Sequence, residues 1–328
     1  LKVGLVIISR TPFRLSFAGG GTDLPSYFLE EEGAVLSTAL NKFMYVTVNS
    51  RFDESIRLSY SKTEIKESVD DIEHPIFKYV LKKYFPQGGL EAISMADIPS
   101  GTGLGSSSSF TVGLLNAAKS FQGKVQTASD LATEACEIEI EKLGEPIGKQ
   151  DQFIAAFGGL QFIRFSPSGE VFVDPIVCTS ETKSKLEASC LIFFTGITRD
   201  AKSVLTKQNE NTGEKRTTLR EMAGIAKKLK NILESNVKLE SFGSLLHDAW
   251  ELKKTVASNV SSVKINEWYA RGCAAGALGG KILGAGSGGF LMFFCDPSKH
   301  AAVKNELSEL RAFDVKFESQ GSKIIFMG

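Results

Sequence analysis

The chain has few of the residues that would tie it to an oxidising compartment, a metal framework or a polyanion. Its 328 residues include five cysteines, Cys136, Cys178, Cys190, Cys273 and Cys295, an odd number with no CxxC pair. Disulfide frameworks and zinc sites need clustered thiols, so these read as buried, reduced thiols. Only three histidines occur, His74, His247 and His300, none at metal-ligand spacing. No GxSxG elbow accompanies them, which leaves a Ser-His-Asp hydrolase without support. An excess of either charge is also missing, because Lys plus Arg and Asp plus Glu both number 38. That excludes a broad nucleic-acid or membrane surface held by positive charge, but not a local basic pocket for an anionic substrate. Long apolar runs are absent too. The stretch Val3–Ile8 is too short for a secretory h-region, lacks a cleavage pattern and reads as a strand. No run approaches the roughly 20 residues of a membrane helix. The expected setting is the cytoplasm, with no nucleic-acid and no membrane partner.

What is present is the composition of an ordinary globular chain, 42% hydrophobic and 23% charged, long enough for two domains or two lobes. Val6–Phe17, Met44–Val48 and Leu90–Asp97 read as strands, and Phe77–Phe85 as a helix stopped at Pro86-Gln87-Gly88-Gly89. An apolar helical pattern runs from Phe110 to Phe121, and a second helix covers Ser129–Leu143. Ile154–Phe165 and Val171–Val177 read as strands around Pro167-Ser168-Gly169. The charged stretch Glu181–Glu187 is the best boundary, dividing the chain into 1–180 and 181–328. Beyond it come the strand Leu191–Thr195, two or three helices between Ala201 and Leu278, a glycine loop at Gly284, and a closing strand, helix and strand. Elements come in runs rather than in βαβ alternation, so the class is α+β.

Five segments carry chemistry. Pro99-Ser100-Gly101-Thr102-Gly103-Leu104-Gly105-Ser106-Ser107, followed by Ser108, precedes a helix. Glycines let backbone N–H groups converge on an anion, and the helix start adds further donors. No lysine follows as in a Walker loop, and neither a third Rossmann glycine nor the acidic residue downstream is present. Alone, the run is equally a flexible loop with a serine cap. Near the start, a strand carrying Arg14 leads into Gly19-Gly20-Gly21-Thr22-Asp23, where a sugar ring can approach the backbone and Asp23 can accept from two hydroxyls. A tight turn beside a solvated arginine is the alternative.

In the helix Ser129–Leu143, Glu139 falls on the apolar stripe with Leu131, Ala135, Cys136 and Ile138, while Glu134, Glu137 and Glu141 fall opposite, as solvated residues should. A carboxylate in an apolar stripe needs a cation or donors. A rim position or a structural ion pair would also explain it. Finally, Lys281–Gly289 places glycines at a strand–turn–strand crossing, and Thr195–Lys202 offers Arg199 and Lys202 at a loop–helix junction.

Together these segments resemble the three ordered motifs of the GHMP kinases. Pro12–Asp23 is similar to the first, Pro99–Ser107 to the second (Pro-x-x-x-Gly-Leu-Gly-Ser-Ser) and Lys281–Gly289 to the third. The Gly-Gly-Gly-Thr-Asp form is most similar to kinases of D-glycero-D-manno-heptose 7-phosphate and to fucokinase-like domains. The resemblance implies an N-terminal lobe of the ribosomal S5 domain 2 kind, a ferredoxin-like C-terminal lobe, and a kinase whose partners are ATP, Mg²⁺ and a small sugar phosphate. It implies that Pro99, Gly101, Gly103, Leu104, Gly105, Ser106, Ser107 and Ser108 hold the ATP phosphates, and that Ser107 and Glu139 bind Mg²⁺. It further implies Asp151 as catalytic base with Arg14 beside the transferring phosphoryl group. Gly20, Gly21, Thr22, Asp23 and Gly286 are then expected at the sugar, with Lys149 and Arg199 as candidates for the substrate's own phosphate. Heptose 7-phosphate phosphorylated at the anomeric hydroxyl, giving the 1,7-bisphosphate for nucleotide-activated heptose synthesis, is the expected reaction. A kinase of an L-fucose-like sugar, or a GHMP-fold protein that binds without turnover, are the alternatives.

Overall fold

The computed structural model describes residues 4–197, 201–210, 212–235, 239–257 and 259–328, without the side chains of 201–203. The first half builds one mixed sheet from β1 (Val6–Ala18), β2 (Gly33–Ser50), β3 (Ile56–Ser59), β4 (Thr63–Lys66), β5 (Leu90–Ala96), β6 (Leu160–Phe165) and β7 (Val171–Pro175). Its organising strand is β2, whose 18 residues pair with β1 along one edge. Along the other edge its first half pairs with β6 and its second with β5. β1 is buried on both faces from Thr11 to Ala18, as its run of apolar and small residues requires.

The helices on this sheet are α1 (Pro25–Phe28), α2 (Pro75–Tyr84), α3 (Ser106–Phe121), α4 (Ala128–Cys136) and α5 (Gln150–Phe157). α3 is apolar nearly all round and packs against β1 and β2. α4 runs directly into a π-helical turn, Glu137–Lys142, in which Leu143 N–H donates to Ile138 O, five residues back. The expected helix over Ser129–Leu143 is therefore two pieces, and the wider turn carries both Ile138 and Glu139 inward to complete burial.

The expected strand from Ile154 is corrected. Residues 154–157 belong to α5, and the strand begins only at Leu160, because Gly158 and Gly159 at φ 70° and 72° stop the helix. Phe153-Ile154-Ala155-Ala156-Phe157 is a short apolar run whose periodicity does not separate a buried helix from a strand. The expected solvation of Glu134 is corrected too. It is buried against α2 and α3, where Lys83 donates to it at 2.9 Å and Lys119 and the Tyr84 hydroxyl also bind.

The second half contains α6 (Ser180–Ser189), β8 (Cys190–Phe194), α7 (Ala201–Glu210), α8 (Arg216–Glu234), α9 (Glu240–Val256), α10 (Val263–Ala274), β9 (Gly279–Ile282), β10 (Phe290–Phe294), α11 (His300–Glu306), β11 (Arg311–Phe313) and β12 (Lys323–Met327). Among the described residues four helices thus lie between Ala201 and Leu278, where two or three were expected. Strands in the order β11-β8-β10-β9 form a second, antiparallel sheet. The last strand leaves this half: β12 pairs antiparallel with β1 and closes the first sheet. Two further ties join the halves. The buried Lys281 ammonium of β9 donates to Ser16 O at 2.9 Å, and Tyr27 packs with Leu219, Met222 and Val256. Outside that cluster Arg216 pairs with Glu30, and Arg220 pairs with Glu31 at 2.6 Å.

Candidate active site

Three glycine-bearing loops converge at the N-terminus of α3. In the first half of Pro99–Ser107, Thr102 Oγ1 donates to Pro99 O at 2.9 Å and keeps the turn compact. Gly101, Gly103 and Gly105 have φ of 74°, 84° and 74°, the left-handed region where a side chain is strained. At Gly103 space is also decisive, because a Cβ would sit 2.4 Å from Leu283 O. The Lys281–Gly289 loop is therefore pressed directly onto the glycine-serine loop, and Gly284 meets Gly103 in the same way. Leu104 anchors the loop from beneath, buried, with its carbonyl accepting from Arg14 N–H at 3.1 Å. Ser106, Ser107 and Ser108 then open α3, and a cleft of about 640 Å³ adjoins them, lined by Tyr60, His74, Asp97, Pro99, Gly101, Ser106, Ser107 and Phe110 among others. No sequence signal marked Tyr60 or His74; the strand β3 and the cap of α2 bring them to the cleft.

Two carboxylates flank that helix start. Asp151, at the beginning of α5, receives Arg14 Nε and Nη2 in a two-point contact, both at 2.8 Å. Arg14 is 4% exposed, and its remaining Nη1 donates to Gly103 O. The fork fixes the carboxylate plane beside Gly105, whose Cβ would come within 3.2 Å of Asp151 Oδ2. Glu139 is 0% exposed and has neutral donors only, Ser107 Oγ at 2.7 Å and Gln152 Nε2 at 2.8 Å. Burial pushes its acid up to about 7 against the pull of those donors. A buried carboxyl without a counter-charge, joined to a serine hydroxyl at a helix start, is a hard oxygen donor set that fits Mg²⁺ if phosphate oxygens supply further ligands. Among the described residues no group of three or more His, Cys, Asp or Glu gathers to hold a metal by itself.

On the other side of Arg14 lies a small, partly open chamber of about 70 Å³. Gly20, Gly21 and Asp23 form one wall, Gln150 and Asp151 a second, and Gln208, Lys253, Gly284 and Ala285 a third. Asp23 accepts from the N–H groups of Gly21 at 2.8 Å and Gln150 at 3.3 Å. Burial raises its acid above the usual carboxylate range; those N–H groups oppose the rise, and the nearby Asp151 charge adds to it. Gly148 is obligatory here, since a Cβ would fall 2.0 Å from Asp23 Oδ2. Lys253, 5% exposed, is lowered to about 8 by burial, with the Asp23 charge resisting.

The structure thus brings Arg14, Gly20, Gly21, Asp23 and Asp151 to one chamber, with Ser107 and Glu139 on the far side of the helix start. Three residues expected at the sugar lie elsewhere. Thr22 Oγ1 is engaged by the backbone of Gly19 and Ala34, stapling its loop to β2. Lys149 Nζ donates to Gly169 O at 3.0 Å above the Phe28 ring, and lines a different groove. Gly286 packs its Cα against Val260, where a Cβ would be 2.5 Å from the carbonyl. Arg199 lies outside the described residues, and so does the Lys202 side chain. Lys253 and Gln208 were missed, although Lys253 interrupts the buried stripe Phe242, Leu246, Ala249, Trp250 and Val256 of α9 just as Glu139 does on its own helix.

Comparison with known proteins gives the family and the fold. Residues 72–159 match the GHMP kinases N terminal domain, and residues 230–311 match the GHMP kinases C terminal domain. The chain is 32% identical to D-glycero-alpha-D-manno-heptose 7-phosphate kinase of Campylobacter jejuni, over 97% of this chain and 98% of that protein. A galactokinase of Thermococcus kodakarensis is 23% identical over 92% of each. Among solved structures, a D-glycero-D-manno-heptose 1-phosphate kinase from Bacteroides thetaiotaomicron superposes with a TM-score of 0.81 at 24% identity, covering 98% of this chain and 99% of that one. No described helix is long and apolar enough to cross a membrane. The chain belongs to the GHMP kinases, and it is an ATP-dependent sugar kinase of that family.

Proposed function

We propose that this kinase phosphorylates the anomeric hydroxyl of D-glycero-D-manno-heptose 7-phosphate, giving the 1,7-bisphosphate. The observation that carries the reading is the Arg14–Asp151 fork, placed between the serine-bearing start of α3 and the chamber of Asp23. A phosphoryl donor on one side and a hydroxyl acceptor on the other would meet at that pair.

In this reading Gly101, Gly103 and Gly105 bring backbone N–H groups to the ATP phosphates, and Ser106, Ser107 and Ser108 add the start of α3. The cleft past Pro99 and Ser100 takes the nucleoside. Ser107 and Glu139 would hold Mg²⁺, which when bound neutralises charge on the transferring phosphates. Asp23 accepts from sugar hydroxyls and orients the ring. Asp151 takes the proton of the anomeric hydroxyl as its oxygen bonds to the γ-phosphorus, the bond from that phosphorus to the β–γ bridging oxygen breaks, and ADP leaves. Arg14 holds the Asp151 carboxylate in its plane and presents positive charge to the phosphoryl group in flight. The lobes are assigned to residues 1–180 and 181–328, with β12 returning to the first.

The likeness to the Campylobacter jejuni heptose 7-phosphate kinase along nearly its whole length supports this substrate. The position of Lys149 favours a second reading, an unphosphorylated sugar such as an L-fucose-like substrate, because its ammonium is already engaged away from the chamber. A kinase assay with Mg·ATP across sugar phosphates and free sugars separates the two. Turnover of heptose 7-phosphate far above free heptose, fucose and galactose is expected. Turnover of free sugars alone would select the second reading.

A further inference from the structure

Two buried polar groups, Gln208 and Lys253, line the chamber, and a third, Ser16, lies beside Gly20, each without all the partners its burial calls for. Gln208 of α7 is 1% exposed, and its Nε2 has no acceptor among the described residues. The amide lies against Gly21, where a Cβ would fall 2.0 Å from it. Ser16 Oγ is buried and likewise unpartnered. It lies 4.0 Å from the Cβ position of Gly20, and Lys253 Nζ lies 3.7 Å from that same position. Lys253 has one acceptor among the described residues, Gly284 O at 3.0 Å, which leaves donor capacity on its ammonium. Buried polar groups of this kind are costly unless something completes their bonding.

Opposite these donors stands Asp23, whose two described hydrogen bonds come from backbone N–H groups. A carboxylate with two oxygens has lone pairs to spare beyond those two bonds. The chamber therefore presents the donors Gln208 and Lys253 from the C-terminal half and the acceptor Asp23 from the loop that follows β1. A hydroxyl both donates and accepts, so neighbouring ring hydroxyls fit between the walls. A phosphate, which accepts only, would face Asp23 and Asp151 at close range. The chamber is small, about 70 Å³, so a bound ring would lie in direct contact with these walls.

We propose that Lys253 and Gln208 are specificity-determining residues that bind ring hydroxyls of the acceptor sugar opposite Asp23, so that the sugar ring and not its phosphate occupies this chamber. The inference rests on the sugar-kinase assignment of the chamber made under Proposed function.

The test is steady-state kinetics of the full chain and of two separate variants, Lys253→Met and Gln208→Leu, on heptose 7-phosphate and free heptose. In each variant the sugar KM should rise about 10- to 100-fold, the loss expected for a hydrogen bond to a buried charged or orphaned group. The KM for Mg·ATP should stay within about twofold, since neither residue lines the nucleotide cleft. The ratio of kcat/KM for heptose 7-phosphate over free heptose should persist in Lys253→Met. Collapse of that ratio would make Lys253 a phosphate ligand and overturn the inference. Unchanged sugar KM in both folded variants would overturn it as well, as would parallel rises in both KM values, the mark of a general structural loss. Should Lys253→Met fail to fold, Gln208→Leu decides alone, because it exchanges an unpartnered amide for an apolar group of similar size. Absence of sugar turnover by the unaltered chain would sink the reading of the chamber itself, and is told apart because no substitution is involved.

Discussion

The two carboxylates beside α3 are built in opposite ways. Asp151 is held by a permanent cation in a two-point contact, and its side chain stays 21% exposed. Glu139 is sealed, meets serine hydroxyls and an amide but no cation among the described residues, and has its acid raised to about 7. The Asp151 arrangement is electrostatically complete before any ligand arrives. In the function proposed above, a cation from outside would complete the Glu139 arrangement. One side is pre-organised for the chemical step, and the other is poised to respond to what binds.

Removing the charge at Asp151 should break this contrast most severely. Asp151→Asn is expected to lower kcat by about 10²- to 10⁴-fold with the sugar KM nearly unchanged. A near-normal kcat would exclude an essential base and leave Asp151 as a partner for Arg14. Glu139→Gln should act on the other side of the comparison. It is expected to raise the KM for Mg·ATP about 10- to 100-fold and to shift the Mg²⁺ dependence, measured by titrating the metal at fixed ATP. An unaltered metal dependence would reject Glu139 as a ligand.

A sharper reading comes from pH without substrate. The folded-state acid of Glu139 lies above its unfolded value of 4.5, so between about 4.5 and 7 the unfolded chain releases a proton that the folded chain keeps. Stability contributed by this group is therefore present in acid and lost as pH rises through 7, by up to about 3 kcal/mol. Denaturant titrations should show that decline in the unaltered chain and its absence in Glu139→Gln. The smallest effect is expected at the rim, where Arg220→Ala removes the contact to Glu31. Both groups are solvated, so the melting temperature should move by about 1 °C or less. A larger drop would mean that the tie between the halves governs the chamber.

Much of this site could be read from local pattern. The glycine-serine run and the strand carrying Arg14 follow from residue order over short windows, whereas Asp151 was singled out only through the family resemblance. Glu139 was legible because a carboxylate broke an apolar stripe. The π-helical turn that delivers it was not, since its hydrogen bonds depend on packing rather than on propensity. α5 was taken for a strand from Ile154 because a five-residue apolar run has no usable period. Lys253 was within reach of the same reasoning that found Glu139, yet Gln208 was not, for its meaning comes only from its approach to Gly21. Thr22, in turn, shows how a hydroxyl in a motif can be structural, its bonds all made to neighbouring backbone.

The return of β12 to β1 has a consequence for how the protein is made. Ile7 pairs with Met327, Ser322 N–H reaches Ala155 O, and Gly321 presses on Ala156 in the helix that carries Asp151. The first sheet therefore has an open edge along β1 until the ribosome has released the chain through Met327. Contacts this distant in sequence slow folding and leave that edge exposed to other nascent chains. The helix that carries Asp151 gains these contacts only after β12 has emerged and paired with β1.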